Sequence, residues 1–400
     1  MDIDIRIIET REEFHALREP WNELVDHMEG SEAFFCWEWA AARLDHGHAD
    51  CNELFILAGE KDGKLVALAP LCIQRTGIGP LKGRVVRTIT GDQADYSSFY
   101  LHRDGNHRVM LAALLRVLHQ QRHRWDVLHL FNFNSRNPQA FLLADLTEAE
   151  FGTTCHFGER VLTPYFHYGS NDAKIARSRL KTTERRERGL RRDHQVELVI
   201  GGAFSEEFWQ RFLELHLAKW PESNFRDPAH TAFLHDAITR LEPLGKVEVS
   251  WLRIDGELAA LHLGFKTKEK IGYYIPVADP KYQQQGIGGI LLKNLIDHYA
   301  GQKREFDFLR GNEPYKFHWT DSVAANHHLL VGQKSVRSRV VAAFLRAKDQ
   351  LRGIGGLRKL VRAATQERQR RAPYGQSLFI ALVNEPLAAL QLWASPLIGA

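Results

Sequence analysis

The stretch Gln283-Gln284-Gln285-Gly286-Ile287-Gly288-Gly289-Ile290-Leu291-Leu292 decides how the second half of this chain is read. Gly286, Gly288 and Gly289 open an apolar helical stripe that continues through Leu295 and Ile296. A helix begun on glycines leaves its leading N–H groups open to an anion, and the missing side chains let a pyrophosphate approach the backbone. The turn is not the dinucleotide fingerprint, because the full glycine spacing and the downstream ribose carboxylate are missing. It is not a Walker loop, because no Gly-Lys-Ser/Thr follows. Gln283, Gln285, Gly286, Ile287, Gly288 and Gly289 are the candidate phosphate-binding residues, although by themselves the same glycines also suit a plain turn.

The surroundings of the turn set its context. Residues 247–254 and 257–266 read as strands on either side of Asp255-Gly256, a strong hairpin signal, and 270–276 reads as a third strand. Helices are predicted at 206–219, 229–241 and 286–300, and a strand at 305–309. The first half runs in the same order. A strand at 2–9 leads to helices at 11–29 and 34–44, then to strands at 54–59 and 64–74 joined by Lys61-Asp62-Gly63. A strand at 84–90, a helix at 108–121 and a strand at 125–133 complete it. Helix, helix, hairpin, strand, helix, strand thus occurs twice, which predicts a tandem repeat of one α/β unit.

Downstream of the turn lies Phe306-Asp307-Phe308-Leu309-Arg310-Gly311-Asn312-Glu313-Pro314-Tyr315-Lys316-Phe317-His318-Trp319. It starts as a short strand, breaks at Gly311 and then crowds acidic, basic and aromatic groups around Pro314. Loops of this composition carry binding and chemistry. In this setting the glycine turn resembles the coenzyme A pyrophosphate loop of the GNAT acetyltransferase superfamily. The later run closely resembles the C-terminal signature of the GNAT-like acetyltransferases of cellulose or exopolysaccharide biosynthesis (CelD/BcsL type). Asp307, Phe308, Gly311, Asn312, Glu313, Tyr315, Lys316 and Trp319 match that signature. Trp21, the cluster Phe34-Phe35-Cys36-Trp37-Glu38-Trp39, Gly63 to Ala67, Ala69-Pro70-Leu71 and Trp125-Asp126-x-Leu128 extend the resemblance, which covers about residues 1–330. Two departures bear on the acceptor. Asp95-Tyr96-Ser97-Ser98 stands where an acidic pair is common, and the turn carries more Gln and Gly than the usual Pro-Gly version.

The resemblance implies an α/β protein of tandem GNAT folds, with mixed central sheets flanked by helices and a C-terminal helical extension. It divides the chain into a degenerate N-terminal copy (1–165), a basic helical linker (166–200), an acyl-CoA-binding copy (201–334) and a basic, then apolar, extension (335–400). It implies acetyl-CoA or another acyl-CoA as co-substrate and a small molecule or glycan precursor as acceptor. Acyl transfer from a thioester needs a base and oxyanion donors, helped by an acid for the thiolate. Asp307 and Glu313 are the candidate bases, and Tyr315 is the candidate donor to the thiolate. Lys316 and Arg310 are candidates to hold phosphate or an anionic substrate. Asp307 and Tyr315 also have plain readings, as a strand-end ion pair and a packing aromatic. Asp95, Tyr96, Arg185 and Trp319 are the candidate groove residues. The arginines of 174–193 otherwise suit a solvated helix face.

The same layout is shared with FemAB-like transferases, which use aminoacyl-tRNA, and charged tRNA is the alternative donor. A non-catalytic scaffold is the third reading. Composition narrows the field. The apolar fraction is 44% and the net charge only +4, which is a soluble globular balance and not the footprint of a dedicated nucleic-acid binder. The four cysteines lack paired spacing, and the N-terminus lacks a basic segment followed by an apolar one, so a reduced, cytoplasmic protein is expected. His46, His48 and Cys51 have metal-like spacing without a recognisable fourth ligand, and no metal is expected. Residues 335–371 are basic and helical, suited to packing on the body, to self-association or to an anionic membrane surface.

Overall fold

The computed structural model describes residues 3–47, 51–76, 82–91, 93–153, 155–158, 161–166, 177–302 and 304–353. The first half contains β1 (Asp4–Ile8), α1 (Arg11–Ala16), α2 (Arg18–Asp26), α3 (Trp37–Asp45), β2 (Glu53–Leu54), β3 (Ile56–Lys61) and β4 (Lys64–Ala69). It continues through β5 (Leu71–Thr76), β6 (Gly83–Thr88), β7 (Tyr100–Leu101), α4 (His107–Gln120), β8 (Val127–Asn134), α5 (Gln139–Phe151), β9 (Cys155–Phe157) and β10 (Val161–Phe166). The second half contains α6 (Arg177–Asp193), β11 (Val196–Gly202), α7 (Glu206–Lys219), α8 (Pro228–Leu241), β12 (Val247–Ile254), β13 (Glu257–Lys266) and β14 (Lys270–Ala278). It ends with α9 (Ile287–Gly301), β15 (Glu305–Asp307), β16 (Val323–Gly332) and α10 (Val336–Gly353).

Both Asp-Gly hairpins form as their sequence demands. Asp62 and Gly63, and Asp255 and Gly256, all have positive φ, the conformation that a two-residue turn matching strand twist requires. The helix expected over 11–29 is split at Leu17 into α1 and α2, and the one expected at 34–44 begins as a single 3-10 turn. Strands β10 and β16 and helix α5 were not expected.

β10 and β16 join the two halves. The principal sheet runs β11-β12-β13-β14-β15-β10-β16-β8-β6-β5-β2, and β1-β3-β4-β7 form a second sheet. β10 divides its pairing. Val161 to Pro164 lie against β16, whereas Tyr165 and Phe166 lie against Phe306 and Asp307 of β15. β16, late in the chain, is inserted between β10 and β8 of the first half. The sheet is therefore continuous across the junction. The helices also cross it: Trp39 of α3 meets Phe233 of α8 edge-on at 5.1 Å, and Phe34 meets Phe265 at 5.0 Å. Such aromatic pairs contribute about 0.5–1.5 kcal/mol beyond their buried area.

α10 packs through Val341 and Leu345 onto Val85, Val127 and Leu330, so the start of the extension is part of the body. The expectations for residues 354–400 lie outside the described residues. Among the described residues, no helix is long and apolar enough to cross a membrane.

Candidate active site

β14 and β15 run parallel for only three residue pairs, from Lys270↔Glu305 to Gly272↔Asp307. Beyond them the chains part. Phe308 N donates to Pro164 O and Gly311 N to Leu162 O, both at 2.9 Å, so the chain after β15 follows β10 instead. Leu309 makes this turn in the left-handed region, at φ 57°. That conformation costs a non-glycine residue about 1–2 kcal/mol. Its N–H is held by Asp307 Oδ1 at 2.8 Å, which offsets the strain. On the β14 side of the opening, Tyr273 and Tyr274 together oppose Gly264, between the pairs Leu263↔Ile275 and Phe265↔Gly272. A bulge of this kind frees backbone groups from the ladder. Only glycine fits at 264, because a Cβ there would lie 2.5 Å from Gly272 O.

One cavity, of about 240 Å³, occupies the opening on the α9 face. Tyr273 and Pro276 wall one side, Tyr315 and Trp319 the other, and Gly286, Gly288 and Gly289 close one end. Gly286 caps α9 at φ +66° with no side chain bonded to the exposed helix N–H groups among the described residues. A Cβ on Gly286 would sit 2.9 Å from Arg186 Nη1, so the guanidinium lies directly against the turn. α6 delivers it there. Leu190 is buried under that helix, and Glu187 reaches Asn294 at 3.2 Å and Lys293 at 3.8 Å on α9. Lys219, at the end of α7, adds a second cation to the lining. Open helix N–H groups with an arginine and a lysine suit a pyrophosphate, and the apolar walls suit an aliphatic arm. Behind the wall His262 stacks on Tyr273 at 4.5 Å. Burial pushes His262 down to about 3, which keeps it neutral.

Residues alternate across a strand, so Lys270, Glu305 and Asp307 face the side opposite Ile271, Tyr273, Phe306 and Phe308. On that side lies a second cavity, of about 440 Å³, between the halves. Its walls combine Lys270, Glu305 and Asp307 with Glu32, Phe35, Tyr96, Ser97, Asn134 and Arg136 from the first half. Asp307 is 1% exposed, accepts from Tyr96 Oη at 2.9 Å on each oxygen and from Lys270 Nζ at 3.2 Å. Lys270 also forms an ion pair with Glu32 and lies 4.9 Å over the Tyr96 ring. Glu305 and Arg136 form a two-pronged pair at 2.6 and 2.7 Å. Burial pushes the Glu32 carboxyl up to about 8, with Lys270 pulling the other way. Burial works against the charge on Lys270, but the Glu32 and Asp307 carboxylates outweigh it and hold the lysine protonated. Tyr96 remains a phenol, because burial and the adjacent Asp307 raise it far above its ordinary value.

The residues singled out in the sequence fall into separate places. Gly286, Gly288, Gly289, Tyr315 and Trp319 meet in the smaller cavity, and Asp307 and Tyr96 in the larger. Gln283, Gln285 and Ile287 belong to the turn but line neither cavity; Ile287 is a core residue, leaving only its backbone for a ligand. Arg310 is committed to Asp95, at 2.8 Å, and not to the glycine turn. Lys316 is 4% exposed, donates to Arg310 O at 2.8 Å and pairs with Glu313 at 3.0 Å, so this trio pins the loop. Arg185 is exposed and lines neither cavity; the adjacent Arg186 does. Glu32, Lys270, Arg136 and Lys219 were missed. Their only sequence signal was charge next to predicted strands and aromatic clusters. Among the described residues no group of three or more His, Cys, Asp and Glu is arranged to hold a metal. His46 meets Asp236 at 3.0 Å, and His48 lies outside the described residues.

Comparison with known proteins agrees with this geometry. Residues 177–317 match the family model described as Acetyltransferase (GNAT) domain. No curated protein matches the chain. Among solved structures, FemX aligns with a TM-score of 0.56 at 10% identity, over 81% of this chain and 96% of that one. A conserved protein of unknown function from Bacteroides thetaiotaomicron aligns at 0.52 and 13% identity, over 82% and 100%. The C-terminal domain of a putative lysylphosphatidylglycerol synthetase from Agrobacterium fabrum aligns at 0.50 and 13% identity, over 84% and 96%. At such identities the likeness carries the fold alone, which is a tandem of GNAT units. Residues 177–317 thus carry a GNAT acetyltransferase domain.

Proposed function

We propose that the protein moves an acyl group, most simply acetyl, from coenzyme A to an amine or hydroxyl of a sugar, polysaccharide precursor or similar polar acceptor. The donor enters from the α9 face, with its pyrophosphate on Gly286 to Gly289 and Arg186, and its thioester at the opening between β14 and β15. The acceptor occupies the cavity between the halves. The supporting observation is that two cavities of different chemistry, one suited to a phosphate and an aliphatic arm and one polar and charged, lie on opposite faces of the β14–β15 pair.

The parts then have separate tasks. Backbone groups released by the bulge at Tyr273 and Tyr274 are the oxyanion donors. Tyr315, which burial keeps protonated, is positioned to give a proton to the thiolate. Asp307 anchors Tyr96, Lys270 and the Leu309 turn. In this reading residues 201–334 are the active copy, residues 1–165 shape the acceptor groove, and the reaction serves cytoplasmic cellulose or exopolysaccharide biosynthesis. The test is thiol release from acetyl-CoA with glucosamine and glucose as probe acceptors. Acceptor-dependent release lost in Gly288→Glu supports the proposal; acetyl-CoA that is neither bound nor cleaved overturns it.

One observation favours a second reading. Lys181, Arg185, Arg188 and Arg192 form an exposed stripe on α6, the helix that delivers Arg186. A larger anionic donor such as a charged tRNA suits that stripe. Aminoacyl transfer from tRNA, with no use of acetyl-CoA, is the result that would select it.

A further inference from the structure

We propose that Glu32, contributed by the first half, is the catalytic base that takes the acceptor's proton, and that Asp307 is a positioning residue. The inference rests on the acyl-transfer reading above and assigns one step of it.

The two carboxylates differ in what already surrounds them. Asp307 is enclosed by donors: the Tyr96 hydroxyl at 2.9 Å from both oxygens, Leu309 N at 2.8 Å and Lys270 Nζ at 3.2 Å. With two donors on each oxygen, Asp307 has no site left to receive a substrate proton. Glu32 is 7% exposed and lines the same cavity, yet only Oε1 is engaged, by Lys270. Oε2 has no hydrogen bond among the described residues. The charged and titratable groups facing Glu32 are Lys270 of β14, Asp307 and Glu305 of β15, and Tyr96 from the loop before β7. Lys270 bridges both carboxylates, which fixes Glu32 in orientation while leaving one oxygen open. Burial sets its proton affinity near the working range of a base, at about 8. Placement on the segment between α2 and α3 also gives the first half a chemical task, which a degenerate copy would otherwise lack.

The step balances with the residues and substrates already named. The acceptor's N–H or O–H proton passes to Glu32 Oε2 while its lone pair forms the bond to the thioester carbonyl carbon. The C–S bond breaks with its electron pair leaving on sulfur, and the thiolate is protonated from Tyr315, which regains its proton from water. Glu32 returns its proton to water through the cavity mouth. The sum is acylated acceptor plus free coenzyme A thiol.

The test compares wild type with Glu32→Gln, Glu32→Asp and Asp307→Asn, using acetyl-CoA and glucose, which has no group of its own titrating in the range, between about pH 6 and pH 10. Wild-type kcat/KM for glucose rises through pH about 8. Glu32→Gln loses about 10²- to 10⁴-fold and the pH limb disappears, while calorimetric affinity for acetyl-CoA is unchanged. Glu32→Asp restores part of the rate with a limb. Asp307→Asn lowers the rate but keeps the limb. A limb that persists in Glu32→Gln overturns the proposal. Carbon-13 carboxyl titration of Glu32, taken as the difference between wild type and Glu32→Gln, decides without turnover: ionisation near 8 supports the base, and ionisation in the ordinary glutamate range overturns it. Failure of acetyl-CoA to bind the wild type is a separate result, which sinks the acyl-transfer reading itself.

Discussion

Lys270→Met removes the cation that contacts both Glu32 and Asp307. Its side chain is 14% exposed and Asp307 only 1%, so the network belongs with buried pairs and not with surface ones. Removing one partner of a buried pair costs about 3–5 kcal/mol, against about 0–1 kcal/mol at the surface. At about 1 °C per kcal/mol for a chain of 400 residues, the melting midpoint falls by roughly 4–6 °C. The loss depends on pH with a definite sign. Glu32 is raised in the folded state from 4.5 to about 8, so its contribution is fully present below 4.5 and is lost as pH rises through 8. Lysine is what restrains that rise; without it the carboxyl moves higher, and ionising it costs more. The deficit of Lys270→Met is therefore larger above pH 8 than at pH 6, and Glu32→Gln in the same chain removes the extra part. Urea unfolding at both pH values, for the single and double variants, measures it. A deficit below about 1 kcal/mol at both values would refute the claim of a buried, coupled network.

Two further outcomes follow from the same contacts. Tyr96→Phe deletes the hydroxyl that both Asp307 oxygens accept, and costs about 1.5–3 kcal/mol in chemical denaturation, the range for a hydrogen bond to a charged group. Arg186→Glu weakens coenzyme A by at least about tenfold in calorimetry and flattens its salt dependence, with stability within about 0.5 kcal/mol because the residue is exposed.

Local chemistry made part of this protein legible in its sequence. Asp62-Gly63 and Asp255-Gly256 announced their hairpins because only a few residue types accept positive φ in tight turns. The glycines of 286–289 announced the start of α9, where Gly286 takes the positive φ that glycine accepts without strain. What escaped was long-range. Val323 to Gly332 carries Asn326, His327 and His328 among its apolar residues and breaks the alternation of a strand. It is a strand because it fills a slot between β10 and β8, where Asn326 bonds Asp95 O at 2.7 Å and Asn134 at 3.0 Å. Glu32 and Lys270 are far apart in sequence and gain meaning only when the halves close on each other. Asp307 and Tyr96 were both picked out, but their contact was not, because a spacing of 211 residues has no sequence signature. Arg310 and Lys316, candidates to hold phosphate or an anionic substrate, bond Asp95 and Arg310 O and so fasten the loop, a role that charge alone does not distinguish.

The central claim is that acyl-coenzyme A lies on the glycine turn at the opening of β14 and β15. Calorimetry of acetyl-CoA against wild type and Gly288→Glu tests it most directly. Gly288 lines the cavity, and its Cβ position meets only Ala278 at 3.7 Å, so the new carboxylate enters the phosphate site without disturbing the fold. A glutamate in the first turn of α9 even suits the helix dipole. The account predicts a Kd of about micromolar order for wild type and no measurable binding for a variant that unfolds at the same temperature. Equal binding by both proteins, or none by either, would contradict it.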